Sequence, residues 1–212
     1  MSTVVATPRA NNQPSPVFGA SYSYGFIASA AITSSYSSLD GDIAYVGAGT
    51  FSYTTSTGTI SQATNSDGQV VDATALYNYL FNYPATSQLN TAELGGRTLT
   101  RGVYSSVTAL SLNGTLTFDA QGDSSAIFVV RSMGAKNTTA QARMTLINGA
   151  KASNVYFVLG GAETFGAGSQ VVGNYLTGGA ITFGAGCTLT GRAFAINGDI
   201  TAPYLTQVFP PA

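Results

Sequence analysis

The sequence predicts an all-β protein, a β-helix with three faces and one long α-helix packed along one of them. Three observations predict this fold: a repeat of 18 residues, short runs in which apolar and polar residues alternate, and one segment with helical periodicity. The chain has 212 residues, of which 44% are hydrophobic, so one domain with a substantial core is expected.

The repeat defines the turn of the helix. Residues 162–173 read AETFGAGSQVVG, and residues 180–191 read AITFGAGCTLTG, 18 positions later. A period of 18 is shorter than helical repeats and suits one turn of a β-solenoid. Each turn contains three short apolar runs separated by Gly and Asn, which favour sharp turns. Two runs alternate, which indicates strands with one buried and one exposed side, while the third is apolar throughout. Three strands per turn predict a triangular β-helix.

Residues 66–84 (SDGQVVDATALYNYLFNYP) predict the α-helix, over residues 67–83. Ser66 and Gln69 have the spacing of a capping box, and Pro84 ends the segment. Its apolar stripe consists of Ala73, Leu76, Leu80 and Tyr83. We expect this stripe to cover the strand row that is apolar on both sides.

The ends of the chain differ from the repeat region. Residues 1–17 are polar and rich in proline, which predicts a flexible N-terminal arm rather than a signal peptide. The β-helix domain is predicted over residues 18–205, with a C-terminal tail over residues 206–212. We expect a secreted protein whose signal peptide is absent from this sequence, and the glycosylation sequons at Asn113 and Asn137 are compatible with secretion.

Composition excludes several classes of function. Charged residues make up only 8% of the chain and the formal net charge is −1, so no basic surface for nucleic acid is expected. No stretch approaches the ~20 apolar residues of a membrane span. Histidine is absent and there is a single cysteine, which removes the commonest general base and any cysteine-based metal cluster. We therefore predict a monomer that is not an enzyme and that needs no cofactor or metal.

A few polar residues invite a chemical interpretation. Asp40 and Asp42 suggest a calcium site, but stabilisation of a turn explains them better. Asp119 and Asp123 bracket a turn and are expected to form Asx turns. Glu163 stands where the next repeat has Ile181. We expect it to point outward at a corner, along the edge of a face.

Four segments carry a resemblance to a known family. They are ELGGRTLTRGVY (93–104), LNGTLTFDAQGDSSAIFVV (112–130), TLINGAKASNVYFVLGG (145–161) and VVGNYL (171–176). In their order and spacing the chain resembles the ice-binding proteins of the DUF3494 type. The resemblance implies a discontinuous right-handed β-helix whose first coil lies beside the last ones. It also implies that one flat face binds ice, causing thermal hysteresis and inhibiting ice recrystallisation.

Two outward strand rows are candidates for that face. The resemblance favours the third strand row with its leading corner, because the family's T-A/G-x-T positions fall there. The favoured site consists of Thr115, Thr117, Thr145, Ala167, Ser169, Val172, Ala185, Cys187, Thr188 and Thr190. The second candidate face consists of Thr33, Ser111, Thr139, Thr164, Thr182 and Thr201. Cys187 also suits a second interpretation, as a small residue that fills a corner.

Threonine suits an ice-binding face. Its methyl group orders neighbouring water, its hydroxyl joins that water, and its branched β-carbon limits side-chain rotation. Because the T-A/G-x-T positions are only partly kept in this chain, we expect moderate activity.

The sequence alone is also compatible with another class of protein. A secreted adhesive or glycan-binding β-solenoid without catalytic activity has the same repeat, and a polysaccharide lyase lacks the catalytic groups it needs. Flat rows of Thr, Ser and Ala would favour ice, whereas a groove with stacked tyrosines would favour sugar.

Overall fold

Parallel pairing between successive turns organises residues 13–210, the part of the chain that the computed structural model describes. Strands stack in three rows, called faces 1, 2 and 3 in the order in which a turn visits them. Face 1 contains β1 (Tyr24–Ala28), β4 (Asp42–Tyr45), β7 (Ile60–Gln62), β8 (Ser87–Gln88), β10 (Gly102–Ser106), β13 (Phe128–Ser132) and β16 (Val155–Leu159), with the second halves of β18 (Gln170–Thr177) and β20 (Thr188–Ala195).

Faces 2 and 3 complete each turn. Face 2 contains β2 (Ile32–Ser35), β5 (Gly49–Ser52), β11 (Leu110–Leu112), β14 (Lys136–Thr138), β17 (Glu163–Phe165), β19 (Ile181–Phe183) and β21 (Ile200–Pro203). Face 3 contains β3 (Ser38–Leu39), β6 (Thr55–Ser56), β9 (Thr98–Leu99), β12 (Thr115–Asp119), β15 (Arg143–Ile147) and β22 (Thr206–Val208), with the first halves of β18 and β20. Short 3₁₀ turns lie at Gly19–Ser21 and Ala152–Asn154. The predicted three-faced β-helix is confirmed.

The glycine that closes each repeat bends the chain from face 3 into face 1. Gly173 and Gly191 are paired across β18 and β20, with φ angles of 108° and 156°. A Cβ atom at Gly191 would collide with the carbonyl oxygen of Gly173, so a side chain cannot be accommodated there. The 18-residue repeat is therefore the number of residues between one bend of this kind and the next.

The first coil of the chain stacks on the last one. β2 pairs in register with β21, with Ile32 opposite Ile200 and Thr33 opposite Thr201. Along the axis, face 2 runs β11, β14, β17, β19, β21, β2 and β5. The discontinuous order that the family resemblance implies is confirmed.

The helix α1 (Gly68–Asn82) lies along face 1. Its buried residues are Val70, Ala73, Leu76 and Leu80, and they form one apolar cluster with outward residues of face 1 such as Val129, Val158 and Phe194. Fifteen residues at 1.5 Å each give about 22 Å, which covers four to five strands at about 4.8 Å spacing. The helix buries the middle of face 1, while β7 and β8 at the two ends of that face stay exposed, so faces 2 and 3 are the ones whose strands are uncovered along their length.

The predicted capping box is wrong. The helix begins after Asp67, whose carboxylate accepts hydrogen bonds from the Thr64 backbone N–H (3.1 Å) and hydroxyl (2.8 Å). Ser66 makes its contact with the Thr64 hydroxyl, at 3.0 Å. Asp67 is therefore the N-cap residue of the helix, one position after Ser66, which the spacing predicts for this role.

The predicted domain ends also need correction. The Gln13 side chain accepts a hydrogen bond from the Ile127 backbone N–H (3.0 Å), so the end of the predicted arm is attached to the solenoid. Residues 206–208, assigned to a tail, form β22 and pair with β20. The rest of the predicted arm, residues 1–12, and residues 211–212 of the predicted tail lie outside the described residues.

Candidate functional site

The outward residues of face 2 form one row across seven coils. The second residue of each face 2 strand points outward, and consecutive side chains at this position are in register. The row consists of Ser111, Asn137, Thr164, Thr182, Thr201, Thr33 and Thr50. Ser111 and Thr201 are half-buried and the other five are exposed. Six intervals of about 4.8 Å make the row about 29 Å long.

Small residues border this row. A second ladder runs along the corner between faces 1 and 2, where each residue's carbonyl accepts a hydrogen bond from the next coil. It consists of Ala135, Ala162, Ala180, Asp199, Ala31 and Ala48. Asp199 is exposed, but one of its carboxylate oxygens accepts a hydrogen bond from the Ala31 N–H at 2.7 Å. Because the ladder is otherwise alanine, face 2 is flat as well as regular.

Face 3 is less uniform. Its first outward row consists of Thr115, Arg143, Gln170, Thr188, Thr206, Ser38 and Thr55, all exposed. The guanidinium of Arg143 donates a hydrogen bond to the Gln170 amide oxygen at 2.6 Å. The charged side chain of Arg143 interrupts the pattern of hydroxyl groups in this row. In the second outward row of face 3, Val208 (50% exposed) interrupts it next to Thr190. Face 3 therefore offers a rougher and charged surface.

The structure separates the residues predicted for face 3. Thr115, Thr117, Thr145, Val172, Thr188 and Thr190 lie on its outward side, and Ala167 and Ala185 are exposed at its corner. Ser169 and Cys187 do not lie on the surface: both are buried, with their side-chain Oγ and Sγ atoms 3.2 Å apart. Gly168 and Gly186 precede them in the left-handed conformation and turn the next side chain inward. The corner-filling interpretation of Cys187 is the correct one.

The residues predicted for the second face all lie on face 2 or its edge. Thr33, Ser111, Thr164, Thr182 and Thr201 belong to the outward row, and Thr139 is exposed just beyond β14. Two members of the row, Asn137 and Thr50, were missed. Asn137 lies between inward residues that are not hydrophobic, Lys136 and Thr138, so the alternation was not visible in the sequence.

Glu163 points inward, which corrects its predicted place at an outward corner. Its carboxylate contacts the ammonium group of Lys136 at 2.9 Å, one coil away, and both side chains are completely buried. The Thr138 hydroxyl donates to the same carboxylate oxygen at 3.2 Å and accepts from Lys136 at 2.7 Å. The other oxygen of Glu163 has no partner among the described residues. This charge therefore lies beneath face 2 and leaves its surface uncharged at β17.

The buried pair predicts a dependence of stability on pH. Burial raises the pKa of Glu163 to about 7 from 4.5, against the opposing effect of Lys136, and burial lowers the pKa of Lys136. Tyr175, which also faces the pair, has its pKa raised well above the usual value by burial. Because the Glu163 pKa is higher in the folded state, the native protein binds more protons than the unfolded chain between pH 4.5 and 7. The free energy of unfolding should therefore fall as the pH rises through this window.

This dependence is measured by urea unfolding at pH 5 and pH 7.5. The matched control is the double variant Lys136→Leu/Glu163→Ile, which removes both titrating groups and leaves the other carboxylates in place. We expect the free energy of unfolding of the wild type to increase relative to that of the control between pH 7.5 and pH 5, whichever of the two proteins is the more stable. A difference that does not change with pH would contradict the assignment.

The other acidic residues make local structural contacts. Asp119 and Asp123 accept hydrogen bonds from the backbone N–H groups two residues ahead, Gln121 (2.8 Å) and Ser125 (3.0 Å), so the predicted Asx turns are confirmed. Asp42 accepts two hydrogen bonds from Thr59, each 2.9 Å long. Within residues 13–210, no three His, Cys, Asp or Glu side chains are grouped as a metal site would require.

These features define a class of protein: a parallel β-solenoid that presents flat, regularly spaced small polar side chains, with a helix covering the remaining face. The family model described as ice-binding-like matches residues 19–204, and the chain belongs to that family.

Known relatives agree with this assignment. The chain is 37% identical over 142 residues to an ice-binding protein of Nostoc sp. (strain HG1), covering 66% of this chain and 52% of the relative. It is 36% identical over 132 residues to ice-binding protein 1 of Shewanella frigidimarina, covering 59% of this chain and 15% of the relative. The chain thus spans about half or less of the length of these relatives.

Solved structures share the whole fold. A crystal structure of an ice-binding protein from an Antarctic biological consortium superposes with a TM-score of 0.87 at 30% identity, covering 100% of this chain and 95% of the other. The DUF3494 domain of the Shewanella frigidimarina protein gives a TM-score of 0.86 at 26% identity, covering 93% of this chain and 98% of that domain. Among the described residues, no helix is long and apolar enough to cross a membrane.

Proposed function

We propose that the protein binds the surface of ice crystals through face 2. The observation that carries this proposal is the uncharged row from Ser111 to Thr50, in register over seven coils and bordered on one side by a ladder that is alanine except at Asp199. Family membership and the ice-binding relatives support ice as the partner.

Face 2 replaces face 3 as the preferred surface for two physical reasons. Of the two charges expected at the edge of face 2, Glu163 is buried and Asp199 is exposed but bonded to the Ala31 N–H, while Arg143 lies exposed within face 3. In addition, Ser169 and Cys187, two of the residues predicted for face 3, point into the core. Face 2 therefore gains in regularity and face 3 loses part of its predicted area.

Such a face suits ice because ice presents a repeating lattice of water without charge or pockets. Binding requires many weak contacts at fixed spacing, and paired strands hold the threonines about 4.8 Å apart. The methyl groups order adjacent water and the hydroxyls bond to it, whereas a charged group would keep its own hydration shell. Bound molecules force the ice front to curve between them, which opposes growth.

The proposed activity is therefore thermal hysteresis and inhibition of ice recrystallisation, without any catalytic step, cofactor or metal. The protein would act as a monomer outside the cell, where ice forms. The weakened T-A/G-x-T positions Ala167 and Ala185 lie just after β17 and β19 and so border face 2 as well, which favours a moderate hysteresis.

The test is partition into a slowly growing ice hemisphere. We expect the wild-type protein to be incorporated into the ice, while an inert protein of similar size is excluded and stays in the liquid. Exclusion of the folded protein to the same extent as the inert control would refute the proposal.

A further inference from the structure

Three exposed tyrosines stack against each other at the corner between faces 2 and 3. The ring centroids of Tyr204 and Tyr36 are 5.0 Å apart at an angle of 5°, and those of Tyr36 and Tyr53 are 4.8 Å apart at 13°. Tyr204 is 55%, Tyr36 53% and Tyr53 80% exposed. The rings continue from coil to coil because β21, β2 and β5 are neighbours in face 2.

The three tyrosines occupy a position that is unfavourable for them. Their φ angles are 50°, 50° and 51°, in the left-handed region that bulky residues avoid. The equivalent corner position is glycine in the two preceding coils, Gly168 and Gly186, and the Gly186 N–H donates to the Tyr204 carbonyl oxygen at 3.2 Å. Glycine would adopt this conformation without strain, and strained residues that persist on a surface point to a function.

The side of the stack that faces Gly186 is open. One face of the Tyr204 ring packs on Tyr36, and its other face is directed toward the coil of Gly186. A Cβ atom at Gly186 would meet no heavy atom within 4 Å, whereas at Gly168 it would meet the Cγ atom of Gln141 at 3.7 Å. These residues form a notch with an aromatic wall, a glycine floor and the Gln141 side chain opposite.

The chemistry around the notch is neutral and polar. Thr188 and Thr206 are exposed on its face 3 side, and the exposed Gln141 carries an amide. The guanidinium group of Arg143, two residues after Gln141, donates its hydrogen bond to the side chain of Gln170. A ligand for such a site needs one flat apolar face for the ring and hydroxyl groups for the amide and threonines.

We propose that this notch binds a neutral pyranose unit of a polysaccharide. The C–H face of the sugar would stack on Tyr204, and its hydroxyl groups would bond to Gln141, Thr188 and Thr206. The stack behind Tyr204 holds the wall in place before the ligand arrives, which reduces the entropy lost on binding. The site is separate from the ice row and operates without ice.

The test is titration of the folded protein at 25 °C with cellohexaose, chitohexaose and mannohexaose. Because the chain contains no Trp, the change in tyrosine fluorescence reports binding directly. We expect at least one of the three to bind with a dissociation constant of about 1 mM or tighter. Tyr204→Ala should weaken that binding by roughly tenfold or more, a loss within the range of removed aromatic contacts.

A second variant protects the test against misfolding. Gly186→Tyr adds a fourth ring at a position where the next three coils already carry tyrosine, so it fills the notch with a backbone strain that those coils already tolerate. It should abolish saccharide binding. Tyr53→Ala removes the far ring of the stack and should leave the affinity within about twofold, because Tyr53 does not touch the notch.

The possible results separate cleanly. Loss of binding in Gly186→Tyr together with retention in Tyr53→Ala supports the notch. Absence of binding to all three hexasaccharides overturns the proposal, as does binding that persists in Gly186→Tyr. Since no ice is present in the titration, failure here leaves the ice-binding proposal unaffected.

Discussion

Thr182→Tyr should remove most of the ice-binding activity, reducing the fraction of protein captured by an ice hemisphere by roughly tenfold or more. Thr182 lies in the middle of the row on face 2 and is exposed, with Thr164 and Thr201 on either side. A tyrosine ring there would hold the flat surface away from the lattice, so that the contacts of its neighbours are lost as well. Ice capture and thermal hysteresis measure the effect.

The matched control is Thr188→Tyr. Thr188 is in the same coil and is exposed, but it belongs to face 3. Both substitutions are on the surface, so the free energy of unfolding should change by about 0.5 kcal/mol or less in each. Loss of capture in Thr188→Tyr with normal capture in Thr182→Tyr would assign the activity to face 3. Equal losses in both variants would contradict binding through a single face.

Glu163→Leu should lower the free energy of unfolding by about 3–5 kcal/mol, because it leaves the Lys136 ammonium buried without its partner. For a domain of this size each kcal/mol corresponds to about 2–4 °C, so the melting temperature should fall by roughly 10 °C. The double variant Lys136→Leu/Glu163→Ile should recover this loss. Equivalent inward positions in other coils are Leu110 and Ile181, which shows that aliphatic side chains fit there.

Arg101→Ala is the control for this experiment. It breaks the other ion pair among the described residues, Arg101 with Asp123 at 3.2 Å, whose side chains are 46% and 39% exposed. Removal of an exposed pair should cost less than about 1 kcal/mol. The interpretation is wrong if Glu163→Leu is as mild as Arg101→Ala, or if the double variant is as unstable as Glu163→Leu.

Local pattern was sufficient for much of the fold and of both candidate faces. Alternation with period two separates Thr182 and Thr164, which point outward, from the inward Ile181, because successive side chains of a strand lie on opposite sides. The helix, observed over Gly68–Asn82 and predicted over residues 67–83, follows from its period of 3.6 residues. These properties depend on neighbours within a few residues of the chain.

The sequence by itself thus determined the solenoid, its helix and two possible binding surfaces, whereas only the tertiary structure revealed the differences between them on which the proposal of face 2 rests. Lys136 and Glu163 are 27 residues apart in the sequence, and a charged residue at either position is not expected to point inward. The stacking of β14 on β17 brings the two together, so that each neutralises the other in the core. Tyr36 and Tyr204 meet because the first coil joins the last, 168 positions away. The reason is physical: alternation decides which side of a strand is buried, but contact between coils decides which charges are neutralised and which rings stack.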